Sequence, residues 1–156
     1  MLPRVYIDTS VIGGCLDEEF QAHSERLLGE FENGRLRAVI SDITVAEVRQ
    51  ASEQVRLLLE HRGLQIGERV SLDDEAVSLA ETYIREGVVG EANRVDAQHI
   101  AVATVNRVDV LVSWNFRHIV KLSRIRAFNA VNLKHGYPQL EIRSPREVYH
   151  EEDEEL

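Results

Sequence analysis

The sequence predicts an α/β fold with a central parallel sheet, and three observations support this fold class. Short β-branched runs alternate with longer segments of helical periodicity, which is the pattern of repeated βαβ units. The run VDVLVS at Val108–Ser113 is nearly continuously apolar, as expected of a strand that is buried on both faces. The helical segment before it has small residues at Ala97, Ala101 and Ala103, which leave one face flat enough to lie on a sheet.

The first elements follow from the N-terminal residues. Arg4–Asp8 is a short, β-branched run and predicts the first strand. Thr9–Gly14 predicts a turn, because its paired glycines are strong breakers of regular structure. Glu18–Glu32 has apolar residues at helical spacing and predicts a helix that ends at Asn33 and the glycine after it.

The middle of the chain repeats the alternation. Leu36–Ser41 predicts the second strand, and Asp42–His61 predicts one long helix with an apolar face. Leu64–Val70 shows apolar alternation and predicts the third strand. Asp73–Glu86 predicts a further helix, which the following glycine ends.

The last elements surround the apolar run described above. A helix from about Asn93 stops near Asn106 and leads into the fourth strand, Val108–Ser113. Ser123–His135 predicts another helix, closed by a glycine and a nearby proline. Leu140–Arg143 is a final short strand, and the residues up to Val148 are expected to be irregular.

Right-handed crossovers restrict how these strands can be arranged, and the simplest parallel order is 3-2-1-4-5. In this order the first strand, ending at Asp8, lies beside the fourth, ending at Ser113. Ligands of open α/β sheets gather at the carboxyl ends of strands where the order reverses. We therefore expect a functional site between these two strand ends.

Length and charge constrain the class of protein. The 156 residues predict one domain over residues 1–149 and an acidic, disordered tail over residues 150–156. A net charge of −9 excludes nucleic-acid binding by bulk charge, so such binding would need a local basic patch or metal ions. The single Cys15 and the lack of an apolar leader or membrane-length run predict a cytoplasmic location.

Four polar residues fall at the expected site, and each also has a purely structural explanation. Asp8 could cap a turn, and Asn115 could be only a turn former. Glu47 completes a TVAE capping-box pattern, and Asp96 an NRVD pattern in which the acid complements the helix dipole. These explanations do not account for the convergence of three carboxylates on one edge, which is unfavourable unless a cation binds them.

The same residues belong to four blocks that resemble the PIN-domain family, in its order and with its separations. The blocks are Ile7–Ile12 (IDTSVI), Thr44–Val48 (TVAEV), Asp96–Ala103 (DAQHIAVA) and Asp109–Ile119 (DVLVSWNFRHI). The likeness extends from about Val5 to Val148, and the chain resembles the VapC-type toxin ribonucleases of type II toxin–antitoxin pairs. It implies a three-layer α/β/α fold, RNA as substrate and a cognate antitoxin as partner.

The resemblance also implies functional residues. Asp8, Glu47 and Asp96 match the acidic residues that hold Mg²⁺ or Mn²⁺ for hydrolysis of the RNA phosphodiester bond. The fourth acidic position of the family falls at Asn115, so the number of metal ions is open. We expect Thr9, Ser10, Asn115 and Arg117 to contact the substrate, through backbone amides, hydroxyls or charge.

Other hypotheses remain open at the level of sequence. Because Asn115 replaces an acid, the chain could be a catalytically weakened PIN domain that binds RNA or protein. A flavodoxin-like nucleotide-binding domain is disfavoured, because no glycine-rich phosphate loop follows the first strand. A homodimer is a further expectation.

Histidines and basic residues near these blocks have two explanations each. His99 and His118 could be packing residues or could support the acidic residues from a second layer. A cluster of cations follows Asn115 and could be a solvated helix face or a phosphate-binding patch. It comprises Arg117, Lys121, Arg124 and Arg126. Trp114 is expected to lie in the core.

Overall fold

Parallel strands form the centre of the protein in the computed structural model, which describes residues 1–62 and 67–148. Within these ranges, five strands form one sheet in the order β3-β2-β1-β4-β5, and all four pairings are parallel. The predicted α/β class and the order 3-2-1-4-5 are therefore confirmed.

The element bounds are as follows. The strands are β1 (Arg4–Ile7), β2 (Arg37–Ser41), β3 (Glu68–Val70), β4 (Val110–Val112) and β5 (Ile142–Arg143). The α-helices are α1 (Thr9–Gly14), α2 (Gln21–Glu32), α3 (Asp42–Gln50), α4 (Glu53–His61), α5 (Asp74–Arg85), α6 (Arg94–Val105) and α7 (Leu122–Lys134). Short 3₁₀ turns span Glu91–Asn93 and Pro145–Glu147.

Strand β1 lies at the middle of the sheet, and its side chains alternate between two separate cores. The side chains of Val5 and Ile7 pack with residues of helices α1, α2, α3 and α4 in one hydrophobic cluster. The side chain of Tyr6 packs with residues of α5, α6 and α7 in the other. All three side chains are fully buried, because helices cover both faces of the sheet. This is the three-layer α/β/α arrangement implied by the resemblance.

The segment after β1 was wrongly predicted to be a turn. Residues Thr9–Gly14 form the short helix α1, in which Gly13 and Gly14 have no positive φ and do not act as breakers. Gly14 is instead required for close packing, since an added Cβ would lie 2.5 Å from the Ser24 hydroxyl and 2.7 Å from the Trp114 indole nitrogen. The helix predicted from Glu18 begins three residues later, at Gln21.

The single long helix predicted over Asp42–His61 is also wrong. It is divided at Ala51, whose extended backbone ends α3. Ser52 then starts α4, because its hydroxyl accepts a hydrogen bond from the backbone N–H of Val55. The apolar periodicity continues through this break, which explains why the pattern alone did not show it.

The remaining bounds lie within a few residues of prediction. β4 and β5 are shorter than the predicted strands, and the irregular close contains a 3₁₀ turn. Of the predicted third strand, residues 68–70 are observed, and residues 64–66 lie outside the described ranges, as does the predicted acidic tail, 150–156. No helix in the described ranges has the length and apolar character needed to span a membrane.

The contrast between the two adjacent glycines can be tested. We expect Gly14→Ala to lower the free energy of unfolding by about 1–3 kcal/mol, since the new methyl group overlaps two side chains. Gly13→Ala is the matched control, because its Cβ would meet nothing within 4 Å and should be neutral or slightly stabilising. Urea denaturation of both variants measures the difference, and equal effects would contradict the packing role of Gly14.

Candidate active site

The predicted polar residues lie at the carboxyl edge of the sheet. Asp8 directly follows β1, and Asn115 lies three residues beyond the end of β4. Glu47 lies on α3, which begins directly after β2, and Asp96 lies in the first turn of α6. Because β1 is between β2 and β4, the sheet order places these segments next to one another.

Asp8 is 6% exposed and is held by two serine hydroxyls. Ser10 Oγ donates to Asp8 Oδ1 and Ser113 Oγ donates to Asp8 Oδ2, each at 2.6 Å. The same serines accept hydrogen bonds from backbone N–H groups, Ser10 from Trp114 and Ser113 from Asn115, each at 2.9 Å. The end of β1 is thereby tied to the turn after β4. Asp8 is the N-cap residue of α1 but makes no side-chain cap hydrogen bond, so the alternative that it only caps a turn is not supported.

Asp8 and Asp96 are both carboxyls whose ionised form is unfavourable here. Burial raises the pKa of Asp8, against the opposing effects of His99 and the two serine hydroxyls. Burial also raises the pKa of Asp96, and the charge of Asp8 adds to this, while His99, His118 and Asn115 oppose it. Asp8 is therefore close enough to Asp96 to disfavour a second negative charge.

Glu47 behaves differently, because it is bonded to a histidine. His99 is 2% exposed, and its Nε2 lies 2.6 Å from Glu47 Oε1. An ionised carboxylate can only accept, so the ring N–H donates to Glu47. Burial raises the pKa of Glu47, but the hydrogen bond and charge of His99 outweigh it, and the pKa is lowered overall. The capping-box explanation of Glu47 is wrong, since Ser41 caps α3.

The histidine is itself fixed by a buried hydrogen-bond chain. Its Nδ1 lies 2.6 Å from the hydroxyl of Tyr6, which lies 2.7 Å from Ser41 Oγ. Burial raises the pKa of Tyr6, so its hydroxyl stays protonated. Hydrogen bonds thus connect Ser41 on β2, Tyr6 on β1, His99 on α6 and Glu47 on α3 in one chain. His99 is thus both a packing residue and a direct support of Glu47.

The other predicted residues take mixed positions. Asn115 Oδ1 accepts the backbone N–H of His118 at 2.9 Å, as a turn former does. A hydrogen bond from the Asn115 side chain also partly opposes the rise in the pKa of Asp96. The buried Thr9 hydroxyl lies near enough to lower the pKa of Glu47, but makes no hydrogen bond of good geometry with any described residue. Asn93 makes no side-chain cap to α6.

The cations that follow Asn115 lie at or near the surface. Arg117, Lys121 and Arg126 are exposed, Arg124 is half-buried, and none of the four forms an ion pair with a described residue. By contrast, Arg4, Arg62 and Arg94 each bind a glutamate. The four charges are therefore available to an anionic ligand.

The donor atoms can be compared with the needs of a divalent cation. No group of three or more His, Cys, Asp or Glu side chains within residues 1–62 and 67–148 is arranged to hold a metal ion. Mg²⁺, however, is usually held by only one or two carboxylates, with water and substrate phosphate supplying the other oxygens. The Asp8–Asp96 pair fits this type of site, because a cation would offset the burial and the neighbouring Asp8 charge that raise the pKa of Asp96.

The fold is similar to that of several solved structures. FitAcB from Neisseria gonorrhoeae is 16% identical, with a TM-score of 0.61 over 92% of this chain and 99% of that one. VapBC2 from Rickettsia felis, bound to promoter DNA, is 14% identical, with a TM-score of 0.57 over 90% and 98%. VapC20 from Mycobacterium tuberculosis, a sarcin–ricin loop cleaving toxin, is 14% identical, with a TM-score of 0.56 over 88% and 98%.

These identities establish the fold and not the activity. No protein-family profile and no curated protein sequence matched the chain. The similarity to these solved structures thus confirms the fold that the resemblance to VapC-type PIN domains implies.

Three residues of the site were not identified from the sequence. Ser41 and Ser113 end or follow the strands β2 and β4, at the same edge as Asp8, and this position was a usable signal. Tyr6 lies in a strand buried on both faces, where a phenolic hydroxyl needs a partner. That the partner would be His99 could not be read from residues 93 positions apart.

The raised pKa of Asp96 predicts a pH-dependent effect of its replacement. A carboxyl whose pKa is raised by folding stabilises the protein below its unfolded pKa, about 4, and loses this contribution as pH rises through the folded pKa. In metal-free buffer, Asp96→Asn should therefore gain melting temperature relative to wild type between pH 4 and pH 7. Asp74→Asn, an exposed acid at the start of α5, is the control and should show no such gain. A difference for Asp96→Asn that does not change with pH would contradict the prediction.

Proposed function

We propose that the protein is a metal-dependent endoribonuclease and the toxin of a type II toxin–antitoxin pair. The observation that carries the proposal is the pairing of the buried Asp8 carboxyl with the half-buried Asp96 carboxyl at the carboxyl edge of the sheet, beside an ionised Glu47. The fold similarity to a sarcin–ricin loop cleaving toxin supports the same class of reaction. RNA and a cognate antitoxin are the proposed partners, the latter supported by the similarity to VapBC2 and FitAcB.

The residues of the site have distinct proposed roles. Asp8 and Asp96 would hold the cation, Mg²⁺ or Mn²⁺, with Asp8 fixed by its two serines. The chemistry such a cation supplies is stabilisation of charge on the phosphate and a lower pKa for bound water. Glu47, held by His99, would accept a hydrogen bond from the attacking water and orient it toward phosphorus.

The polar residues around the acids would position the RNA. Thr9 would contact a phosphate oxygen through its backbone amide, since its hydroxyl is buried. Ser10 is proposed to contact the substrate mainly through its backbone, since its hydroxyl is already bonded to Asp8. Arg117 and the cations of α7 would bind flanking phosphates, which gives an acidic protein the local positive charge that RNA requires.

The proposal predicts metal-dependent cleavage that depends on Asp96. Purified protein should cleave single-stranded RNA with Mg²⁺ or Mn²⁺, and Asp96→Asn should reduce the rate at least about 100-fold, because a carboxylate ligand is lost. Asp74→Asn is the matched control and should cleave as wild type does. Gel analysis of labelled RNA measures the rates. Cleavage that persists in excess EDTA would refute the metal requirement, and RNA binding without cleavage would favour the non-catalytic alternative.

The amide at Asn115 predicts a graded effect on metal binding. Asn115→Asp adds a negative charge beside Asp96 and should tighten Mn²⁺ binding by about tenfold, because opposite charges attract strongly at a partly buried site. Asn115→Ala should weaken cleavage only modestly. Calorimetry without RNA should find one Mn²⁺ site or none in the wild type. Asn33→Asp, an exposed residue at the end of α2, controls for net charge. Two tight Mn²⁺ sites in the wild type would contradict this account.

A further inference from the structure

A shallow pocket of about 300 Å³ lies beside the candidate active site, on the side of α1. Ser10 and Asn115 line it and also belong to the site, so a ligand there would be adjacent to the acidic residues. None of the roles proposed above uses this pocket. Its other lining residues come from α1, from the segment between α1 and α2, and from Trp114.

Part of the pocket lining is aromatic. Its lining includes Phe20 and Trp114, whose rings stack at a centroid distance of 4.2 Å and an angle of 21°. Phe116 lies 6.0 Å from Trp114 and is 46% exposed, which extends the aromatic surface beyond the pocket. Gly13 also lines the pocket, and a Cβ there would meet nothing within 4 Å, so open space adjoins its backbone.

The charge of the pocket argues against a phosphate as its occupant. Among the lining residues there is one carboxylate, Asp17, and no cation. Asp17 Oδ1 accepts the backbone N–H of Glu19 at 2.9 Å, and the carboxylate can only accept further hydrogen bonds. The pocket therefore favours a neutral, planar group that donates N–H hydrogen bonds. Unstacked bases of single-stranded RNA are recognised in this way, by aromatic surfaces and by contacts to their Watson–Crick edges.

We propose that this pocket is a nucleobase subsite for the RNA nucleotide next to the scissile phosphate. Guanine is the preferred base, because its Watson–Crick edge presents two adjacent N–H groups to the Asp17 carboxylate. The inference rests on the proposed ribonuclease function for its biological meaning, and it names the substrate feature that the site reads. The open space beside Gly13 leaves room for the base, and Asp17 selects it.

Titration with nucleotides tests the subsite without requiring cleavage. The probes are guanosine 5′-monophosphate, uridine 5′-monophosphate and ribose 5-phosphate, added in Mg²⁺ buffer to ¹⁵N-labelled protein. We expect the guanosine nucleotide to shift the amide signals of Gly13 and Gly14, with weaker shifts from the uridine nucleotide and none from ribose 5-phosphate. Equal shifts from ribose 5-phosphate would overturn the proposal, because they would place a phosphate and not a base near the pocket.

Two variants test the location. Gly13→Leu should fill the pocket and weaken guanosine nucleotide binding at least about tenfold. Gly29→Leu is its matched control, since Gly29 is also a half-buried helical glycine whose Cβ would meet nothing within 4 Å. The melting temperatures establish that both variants fold. A folded Gly13→Leu that binds as tightly as the control would overturn the proposal, and if Gly13→Leu does not fold, the smaller Gly13→Ala takes its place with Gly29→Ala.

A third variant tests the selectivity. Asp17→Asn keeps an oxygen for the Glu19 N–H but removes the charge, and should abolish the preference for the guanosine over the uridine nucleotide. An unchanged preference would overturn the role of Asp17. The subsite and the proposed function can fail separately. Guanosine-specific binding without RNA cleavage would refute only the activity, and cleavage without base-specific binding would refute only the subsite.

Discussion

The buried carboxylate of Asp8 is the constraint around which the rest of the site is built. An ionised group with 6% exposure is costly unless the surrounding protein satisfies it, and here two serine hydroxyls bind one oxygen each. Those hydroxyls are oriented because they also accept backbone N–H groups of Trp114 and Asn115. One hydrogen-bonded unit therefore includes the end of β1, the start of α1 and the turn after β4. None of these segments can move without breaking a hydrogen bond that holds the Asp8 carboxylate.

The three carboxylates of the site have different electrostatic properties, although the sequence presents them as equivalent. Burial raises the pKa of Asp8 and Asp96, so that together they favour an added positive charge. Burial acts on Glu47 too, but His99 reverses its effect and keeps this carboxylate ionised. This difference in pKa between Glu47 and the two aspartates depends on Tyr6, whose hydroxyl holds the His99 ring at Nδ1. The neighbours of the three carboxylates, and not their residue type, therefore determine which of them stays ionised.

The sheet could be predicted because each strand is marked by its own residues and only a few strand orders are possible. The β-branched runs locate the strands, and the handedness of crossovers leaves few orders, of which the simplest was correct. The helix α1 was missed because glycines usually break helices, whereas Gly14 is required by a contact with Trp114, 100 positions along the chain. The break at Ala51 was missed because apolar spacing continues through it.

The candidate site was predictable in part for related reasons. The positions of Asp8, Glu47, Asp96 and Asn115 follow from strand ends and helix starts, so the sequence placed them at one edge. Their hydrogen-bond partners depend on which side chains meet across layers, and no spacing rule links Tyr6 to His99 or Ser113 to Asp8. Metal binding by these residues stays a prediction, since it depends on oxygens that water and phosphate would supply.

The indole of Trp114 has a consequence for studying the protein. It is the one tryptophan in the sequence, and it is 5% exposed. Its ring stacks with Phe20, and the guanidinium of Arg146 lies 5.8 Å from the ring centroid. All tryptophan fluorescence of the chain therefore originates beside the candidate active site, in the lining of the adjacent pocket. The emission and quenching of Trp114 would report ligand binding in this pocket without any label on the protein. Because Arg146 lies near the indole ring, the emission would also be sensitive to changes in the 3₁₀ turn at Pro145–Glu147.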